Sequence, residues 1–236
     1  MTEDNVDTAG AIFQSFGASL VDAKGNLTVK TDAVRQALEY YQKLAQWLPP
    51  DVFAWDDAGN NKWLVAGKGA LIMNPPSAWA VAKRDAPQVA EQLWTFANPK
   101  GPKGRYTTFL PYYYCTWKFS KNQSAAASLI RYLSRRESVE KMVTASGGYD
   151  IPPFAKQHDF KTWIEEGPPK GTIYHYPPRG DQVTSVAGAP AQPTVANQIY
   201  TQGLMTKLVG RCTIQGETIE QAITWATHEL EGYMRT

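Results

Sequence analysis

ALIMNPPSAWAVAK, residues 70–83, begins as an apolar run and ends as a helix. Ala70, Leu71, Ile72 and Met73 have the character of a buried strand. Asn74-Pro75-Pro76 stops it, because proline cannot donate to a ladder. Pro76 near a helix start costs no intrahelical bond, so 77–83 restarts as a helix carrying one tryptophan, Trp79. A strand handed to a helix in this way predicts an α/β unit. Ligands of such proteins sit beyond the carboxyl ends of strands, where a first helical turn exposes unpaired N–H groups.

Upstream, β-prone runs at 19–21 and 27–29 flank Asp22-Ala23-Lys24-Gly25-Asn26 and predict a hairpin. Thr31 and Asp32 offer N-cap side chains to a helix with apolar Val34, Ala37, Leu38, Tyr41, Leu44 and Ala45, ended by Pro49-Pro50. A polar loop from Trp55 to Asn61 leads to a short helix at 62–66, closed by Gly67. Downstream, Asp85-Ala86-Pro87 breaks the 77–83 helix. A short helix then runs to Gln92, a second strand is expected at 93–97, and Asn98-Pro99-Lys100-Gly101-Pro102-Lys103-Gly104 is a turn cluster.

Residues 106–119 are strand-like and dense in aromatics. Residues 124–133 and 138–145 read as amphipathic helices, and Gly147-Gly148 stops the second. Eight of the sixteen prolines fall between 151 and 193, which predicts loops with one short helix at 160–165. Segments 193–209 and 217–233 are helical, the latter with Ile219, Ala222, Ile223, Ala226, Leu230 and Tyr233 on one stripe. Strands alternating with helices through the first hundred residues predict an α/β architecture with a layered sheet.

The 236 residues are 43% hydrophobic and 19% charged, the profile of a globular chain, and the net charge of +2 gives no pointer to nucleic acid. No apolar run reaches the roughly 18–20 residues that span a bilayer. MTEDNVDTAG is acidic where a signal peptide is basic, so no signal peptide is read in this chain. Cys115 and Cys212 could pair in an exported protein or remain free thiols.

Enzymatic motifs are absent. Gly67-Lys68-Gly69 and Gly101-Pro102-Lys103-Gly104 lack P-loop spacing, and no GxSxG or HExxH occurs. His158, His175 and His228 do not converge on a metal, so neither metal nor cofactor is expected. Asp56-Asp57 and Glu165-Glu166 are adjacent carboxylates that point apart rather than flank a bond. What remains is aromatic and amide chemistry at strand ends, in a chain with eight Trp and twelve Tyr. Trp79, Tyr112-Tyr113-Tyr114 and Tyr149-Asp150 suit a polyol, whose C–H faces stack on rings while its hydroxyls take hydrogen bonds.

The order of several motifs carries a resemblance. Gly17-Ala18-Ser19-Leu20-Val21-Asp22 with Gly25, Trp55-Asp56-Asp57, and the run from Asn60-Asn61-Lys62-Trp63 to Gly69-Ala70 come first. Asn74-Pro75-Pro76-Ser77-Ala78-Trp79, the run from Phe96 to Gly104, and Thr218-Ile219-Glu220-Gln221-Ala222 follow. Together they resemble the extracellular solute-binding proteins of ABC importers, family 1, the maltose-binding type. That resemblance implies a type II periplasmic-binding-protein fold: two lobes joined by a hinge, with ligand in the cleft between them and closure around it. It implies a permease partner in the membrane, a periplasmic or extracellular location, and no catalysis.

On this resemblance the chain is the C-terminal portion, with the N-terminal lobe largely missing. Residues 1–104 map to lobe two, 105–153 to a segment crossing to lobe one, and 154–236 to the return, with hinge strands near Arg105 and in 151–169. It places ligand contacts at Ser77 and Trp79, although many relatives have Asn-Gly-Pro-Trp where this chain has Asn74-Pro75-Pro76-Ser77. Tyr112 and Tyr114 share one face by strand alternation. Tyr149, Asp150, Gln192 and Asn197 complete the set.

The expected function is capture of a small polar solute, a carbohydrate foremost, with polyamine, sugar phosphate or short peptide also open. Two other readings stand beside it. One is a fragment of a sugar-acting α/β enzyme. The other is a fragment that binds sugars weakly or not at all by itself and self-associates through exposed apolar surface.

Overall fold

The structure is a computed structural model that describes residues 3–109, 111–165 and 181–235. Glu166, His175 and the 166–169 end of the expected hinge region lie outside the described residues. The chain is α/β and rich in helix. In order it forms α1 (Glu3–Ser15), α2 (Asp32–Ala45), α3 (Gly59–Val65), α4 (Ser77–Asp85), α5 (Pro87–Ala90), strand β1 (Arg105–Thr108), α6 (Gln123–Leu133) and α7 (Arg136–Ala145). Then come α8 (Lys161–Ile164), strand β2 (Gln182–Ser185), α9 (Pro193–Thr201), α10 (Leu204–Thr213) and α11 (Ile219–Tyr233). Two compact units result: Met1–Gly59 with Ala97–Leu110 and Gly180–Thr236, and Asn60–Phe96 with Pro111–Arg179.

The first unit holds the larger core. Val6, Ala9 and Phe13 recur at three- and four-residue steps along α1, so one face of that helix is apolar and buried. It joins Val34, Ala37 and Leu38 of α2, Leu204, Met205 and Leu208 of α10, and Ala222, Ile223, Ala226 and Leu230 of α11. Beside α1, β1 and β2 pair in parallel, Arg105 opposite Gln182 and Thr108 opposite Ser185, with Thr107 and Ser185 turned inward. An ion pair at the head of this ladder joins Arg105 Nε to Asp181 Oδ1 at 2.9 Å.

Several local expectations are corrected here. The hairpin at 19–29 is a single antiparallel bridge, Val21 to Leu27. Asp22 closes its turn by accepting from the backbone N–H groups of Lys24 and Asn26. Thr31 does not cap α2; its hydroxyl donates back to the Thr28 carbonyl. The helix expected at 193–209 is two helices, because Gly203 adopts a left-handed φ of 58° that ends α9 and starts α10. Neither α1 nor β2 was expected.

The second unit is built from α3 to α8 around two small clusters. Val139, Val143, Phe160 and Trp163 form one, with Phe160 and Trp163 stacked at 5.8 Å. Trp79, Ala82 and Ala90 form the other, with Val65 and Leu93 against them. The strands expected at 70–73 and 93–97 are irregular, and Leu71 is 75% exposed. A strand exists only as part of a ladder, and among the described residues the one sheet is β1 with β2, which neither segment joins. For the same reason the 106–119 strand stops at Thr108. Trp117 and Phe119 beyond it stack on each other at 5.6 Å on the surface.

Candidate ligand-binding site

The candidate residues of the second unit are arranged about the start of α4 and the end of α7. A chain of carboxamides holds the entry to α4. Asn60 Nδ2 donates to Asn74 Oδ1 at 2.7 Å, and Asn74 Nδ2 donates to Asn61 Oδ1 at 2.7 Å and to the Pro75 carbonyl at 2.9 Å. Ser77 Oγ accepts from Asn74 Nδ2 at 3.0 Å and from Asn61 Nδ2 at 3.3 Å. This network is half-buried and ties α3 to the first residue of α4. Pro76, the residue before the helix, provides no side-chain cap, so the network fixes the entry to α4 without satisfying its first backbone N–H groups.

Trp79 sits two residues beyond Ser77 and is 5% exposed. Val65, Ala82, Ala90 and Leu93 enclose it, and the Lys83 ammonium lies 5.0 Å from its ring centroid. In this chain the indole is a packing residue of the α4 base, because the helix turns position 79 inward and position 77 toward the asparagines. The resemblance places it among the ligand contacts.

The end of α7 meets α4 through glycine. Gly147 and Gly148 both have positive φ, 63° and 84°, and a Cβ on Gly147 would stand 3.3 Å from Ala80 Cβ. The turn they make carries Tyr149 and Asp150. Ser146 Oγ accepts from the Asp150 N–H at 3.1 Å and fixes it. The Asp150 carboxylate is exposed and makes no hydrogen bond or ion pair with any described residue, while Tyr149 is half-exposed. On the same helix, Met142 Sδ accepts from the Tyr114 hydroxyl at 3.8 Å.

Ser77, Tyr114, Tyr149 and Asp150 are thus reached from one pair of neighbouring elements, α4 and α7. Tyr112 and Tyr113 are both exposed, on an irregular segment where no alternation separates their faces. Gln192 belongs to the other unit, and its amide donates to the Ala23 carbonyl at 2.7 Å. Asn197, also there, is exposed on α9, and its carbonyl accepts from the Thr201 hydroxyl.

Asn60, Asn61 and Asn74 carry no role that the sequence alone assigns. The signal available was three carboxamides around a helix start that has no capping side chain. Cys115 is an exposed free thiol and Cys212 a buried one. His158 contacts the Pro152 carbonyl at 2.8 Å and His228 faces Glu231. Among the described residues no group of three His, Cys, Asp or Glu side chains could hold a metal, and no helix is long and apolar enough to cross a membrane.

Residues 2–140 match the family described as bacterial extracellular solute-binding protein. The chain belongs to that family. Three solved structures share its fold. Maltose-bound MalE3 of T. maritima superposes with a TM-score of 0.69 at 19% identity, over 96% of this chain and 56% of that one. A protein of Synechococcus sp. MITs9220, described as an oligosaccharide periplasmic-binding protein, superposes at 0.60 with 17% identity, over 99% and 60%. The same description in complex with zinc gives 0.58 at 15% identity, over 99% and 59%. The chain therefore spans about 56–60% of the length of the structures it resembles. A search of the curated proteins gives no match.

Proposed function

We propose that this chain captures a small polar solute, a carbohydrate, for an ABC importer. Capture takes place outside the cytoplasm, in the periplasm or at the cell exterior, and the loaded protein is read by a membrane permease. No catalytic step is part of this role. Family membership supports solute binding, and the fold shared with maltose- and oligosaccharide-binding proteins favours a sugar.

The observation that carries the reading is the close packing of Gly147 on Ala80, which sets Tyr149 and Asp150 beside the helix that begins at Ser77. Near that point lie an exposed carboxylate, a serine hydroxyl and the rings of Tyr114 and Tyr149, and exposed Tyr112 is two residues before Tyr114. A sugar uses all three kinds of group, through hydroxyls to the carboxylate and serine and through C–H faces to a ring. Trp79 supports this site from below rather than facing it, and Gln192 is left outside it.

The test is a heteronuclear NMR titration of the chain with maltose up to about 100 mM, a range that detects even millimolar affinity. Saturable shifts centred on Ser77, Tyr114, Tyr149 and Asp150 are expected. Shifts absent, or confined to the unit that holds Gln192, overturn the proposal.

A further inference from the structure

Ser77 sits in a hydrogen-bond network whose polarity is set from both ends by backbone groups. The Pro75 carbonyl can only accept, so the side of the Asn74 carboxamide that faces it at 2.9 Å is the NH2. The Asn74 oxygen must then face Asn60, whose own NH2 donates to it at 2.7 Å. The Asn60 oxygen that remains accepts from the backbone N–H of Asn61 at 2.8 Å, and a backbone N–H can only donate. Reversing any one amide would set donor against donor or acceptor against acceptor.

The same polarity reaches the serine. Asn61 presents its oxygen to Asn74 and so turns its NH2 toward Ser77. Asn74 also directs an N–H there. A serine hydroxyl has two lone pairs and one proton. The two N–H groups of Asn74 are shared among the Asn61 oxygen, the Pro75 carbonyl and Ser77, so the serine takes only part of one. Both nitrogens that face Ser77 Oγ are donors that cannot accept, and its proton is given to no described residue.

We infer that Ser77 is a one-way hydrogen-bond donor to the solute, fixed as such by Asn60, Asn61 and Asn74. The solute atom that meets it is an acceptor: a hydroxyl, ring or glycosidic oxygen of a sugar, or a carboxylate oxygen. An ammonium group has donors only and is refused there. This selects the sugar class over a polyamine. It rests on the reading above that Ser77 faces the solute. Asn61 and Asn74 are then positioning residues, acting through Ser77 without touching the solute.

The test compares maltose binding, by the same NMR titration at pH 7, for wild type, Ser77→Ala, Ser77→Thr and Asn61→Asp. Ser77→Ala removes the donor and is expected to weaken binding roughly five- to tenfold, the scale of one neutral hydrogen bond. Ser77→Thr keeps the hydroxyl and both accepting lone pairs, and stays within about twofold by the same measure. Asn61→Asp is isosteric but places an acceptor opposite Ser77. The serine proton then turns inward, and binding falls about as far as in Ser77→Ala. As the pH is lowered toward the carboxylate range near 4, the introduced carboxyl gains a proton and donates again, so binding recovers. A merely structural defect has no reason to recover on that titration.

Loss in Ser77→Ala with none in Asn61→Asp overturns the inference and leaves the sugar-binding reading intact. Loss in Asn61→Asp that does not recover, or loss in Ser77→Thr equal to that in Ser77→Ala, also overturns it. No loss in any variant removes Ser77 from the site. No binding by wild type overturns this inference and the proposed function together. Should Asn61→Asp fail to fold by circular dichroism, the Ser77→Ala and Ser77→Thr pair decides between donor and bystander.

Discussion

The indole N–H of Trp163 donates to the Gly148 carbonyl across 3.1 Å in a buried contact. That bond joins the turn after α7 to α8, and it leaves no room at the glycine. A Cβ on Gly148 would lie 2.8 Å from the same Trp163 nitrogen and 3.0 Å from Thr162 Cγ2, at a φ of 84° that side-chain-bearing residues rarely adopt. Gly148→Ala is therefore expected to destabilise the chain by roughly 2–4 kcal/mol, from backbone strain and overpacking together. Trp163→Phe keeps the ring stack on Phe160 but orphans the carbonyl, at about 1–3 kcal/mol. Urea denaturation followed by circular dichroism measures both; equal midpoints for wild type and Gly148→Ala contradict the packing described.

How far the sequence could be read follows from what each element depends on. Helices α2, α4, α6, α7 and α11 depend on their own apolar spacing and stop signals, and these lie within each segment. Helix α1 carried the same signal in Val6, Ala9 and Phe13, but its acidic first residues were weighed only as a targeting segment. The runs at 70–73, 93–97 and 111–119 have strand composition, yet composition cannot supply a neighbouring strand. Strand β2 was hidden by the surrounding prolines, and it forms because β1, far earlier in the chain, offers a partner, Arg105 opposite Gln182. Ser77 was legible as a candidate site residue, through the resemblance. Its donor direction was not, because that depends on contacts to Asn61 sixteen residues away.

Thr218 and Gln221 make a reciprocal cap at the head of α11. The Thr218 hydroxyl accepts from the Gln221 N–H at 3.2 Å, and the Gln221 side chain accepts from the Thr218 N–H at 2.9 Å. Thr218→Ala should cost about 1 kcal/mol, the usual value for a lost N-cap. Thr31→Ala at the head of α2 should cost less, because the Thr31 hydroxyl does not cap its helix. Parallel thermal melts of the two variants check the ranking, and a larger loss at Thr31 would contradict it.

Acid should loosen the fold through its ion pairs. The Arg136 guanidinium holds the Asp159 carboxyl below its ordinary range, Arg105 does the same for Asp181, and Arg35 for Glu220. A carboxyl whose folded pKa lies below its unfolded value stabilises the fold fully above the unfolded value, near 4. That contribution is lost as pH falls through the depressed folded value. The urea midpoint is therefore expected to hold between pH 7 and about 5, then fall below about 4. Asp159→Asn and Glu220→Gln should each flatten that fall. All these carboxylates are exposed, so each effect is small, and it shrinks further in high salt. A midpoint unchanged between neutral pH and pH 3 would refute this.

The two thiols should behave as different reagents. Cys115 is exposed, among Tyr112, Tyr113, Tyr114 and Trp117. Cys212 is 7% exposed on the core side of α10, and burial, with Glu217 adding to it, pushes its thiol up to about 11. Reaction with an aromatic disulfide reagent needs both access and thiolate. At pH 8 one equivalent should release quickly from the folded chain, and a second only as fast as the chain unfolds or in denaturant. Cys115→Ser should abolish the fast phase, and Cys212→Ser should leave it untouched. Two fast equivalents from wild type would show that the core packed against α10 does not cover Cys212, and none would contradict an exposed, free Cys115.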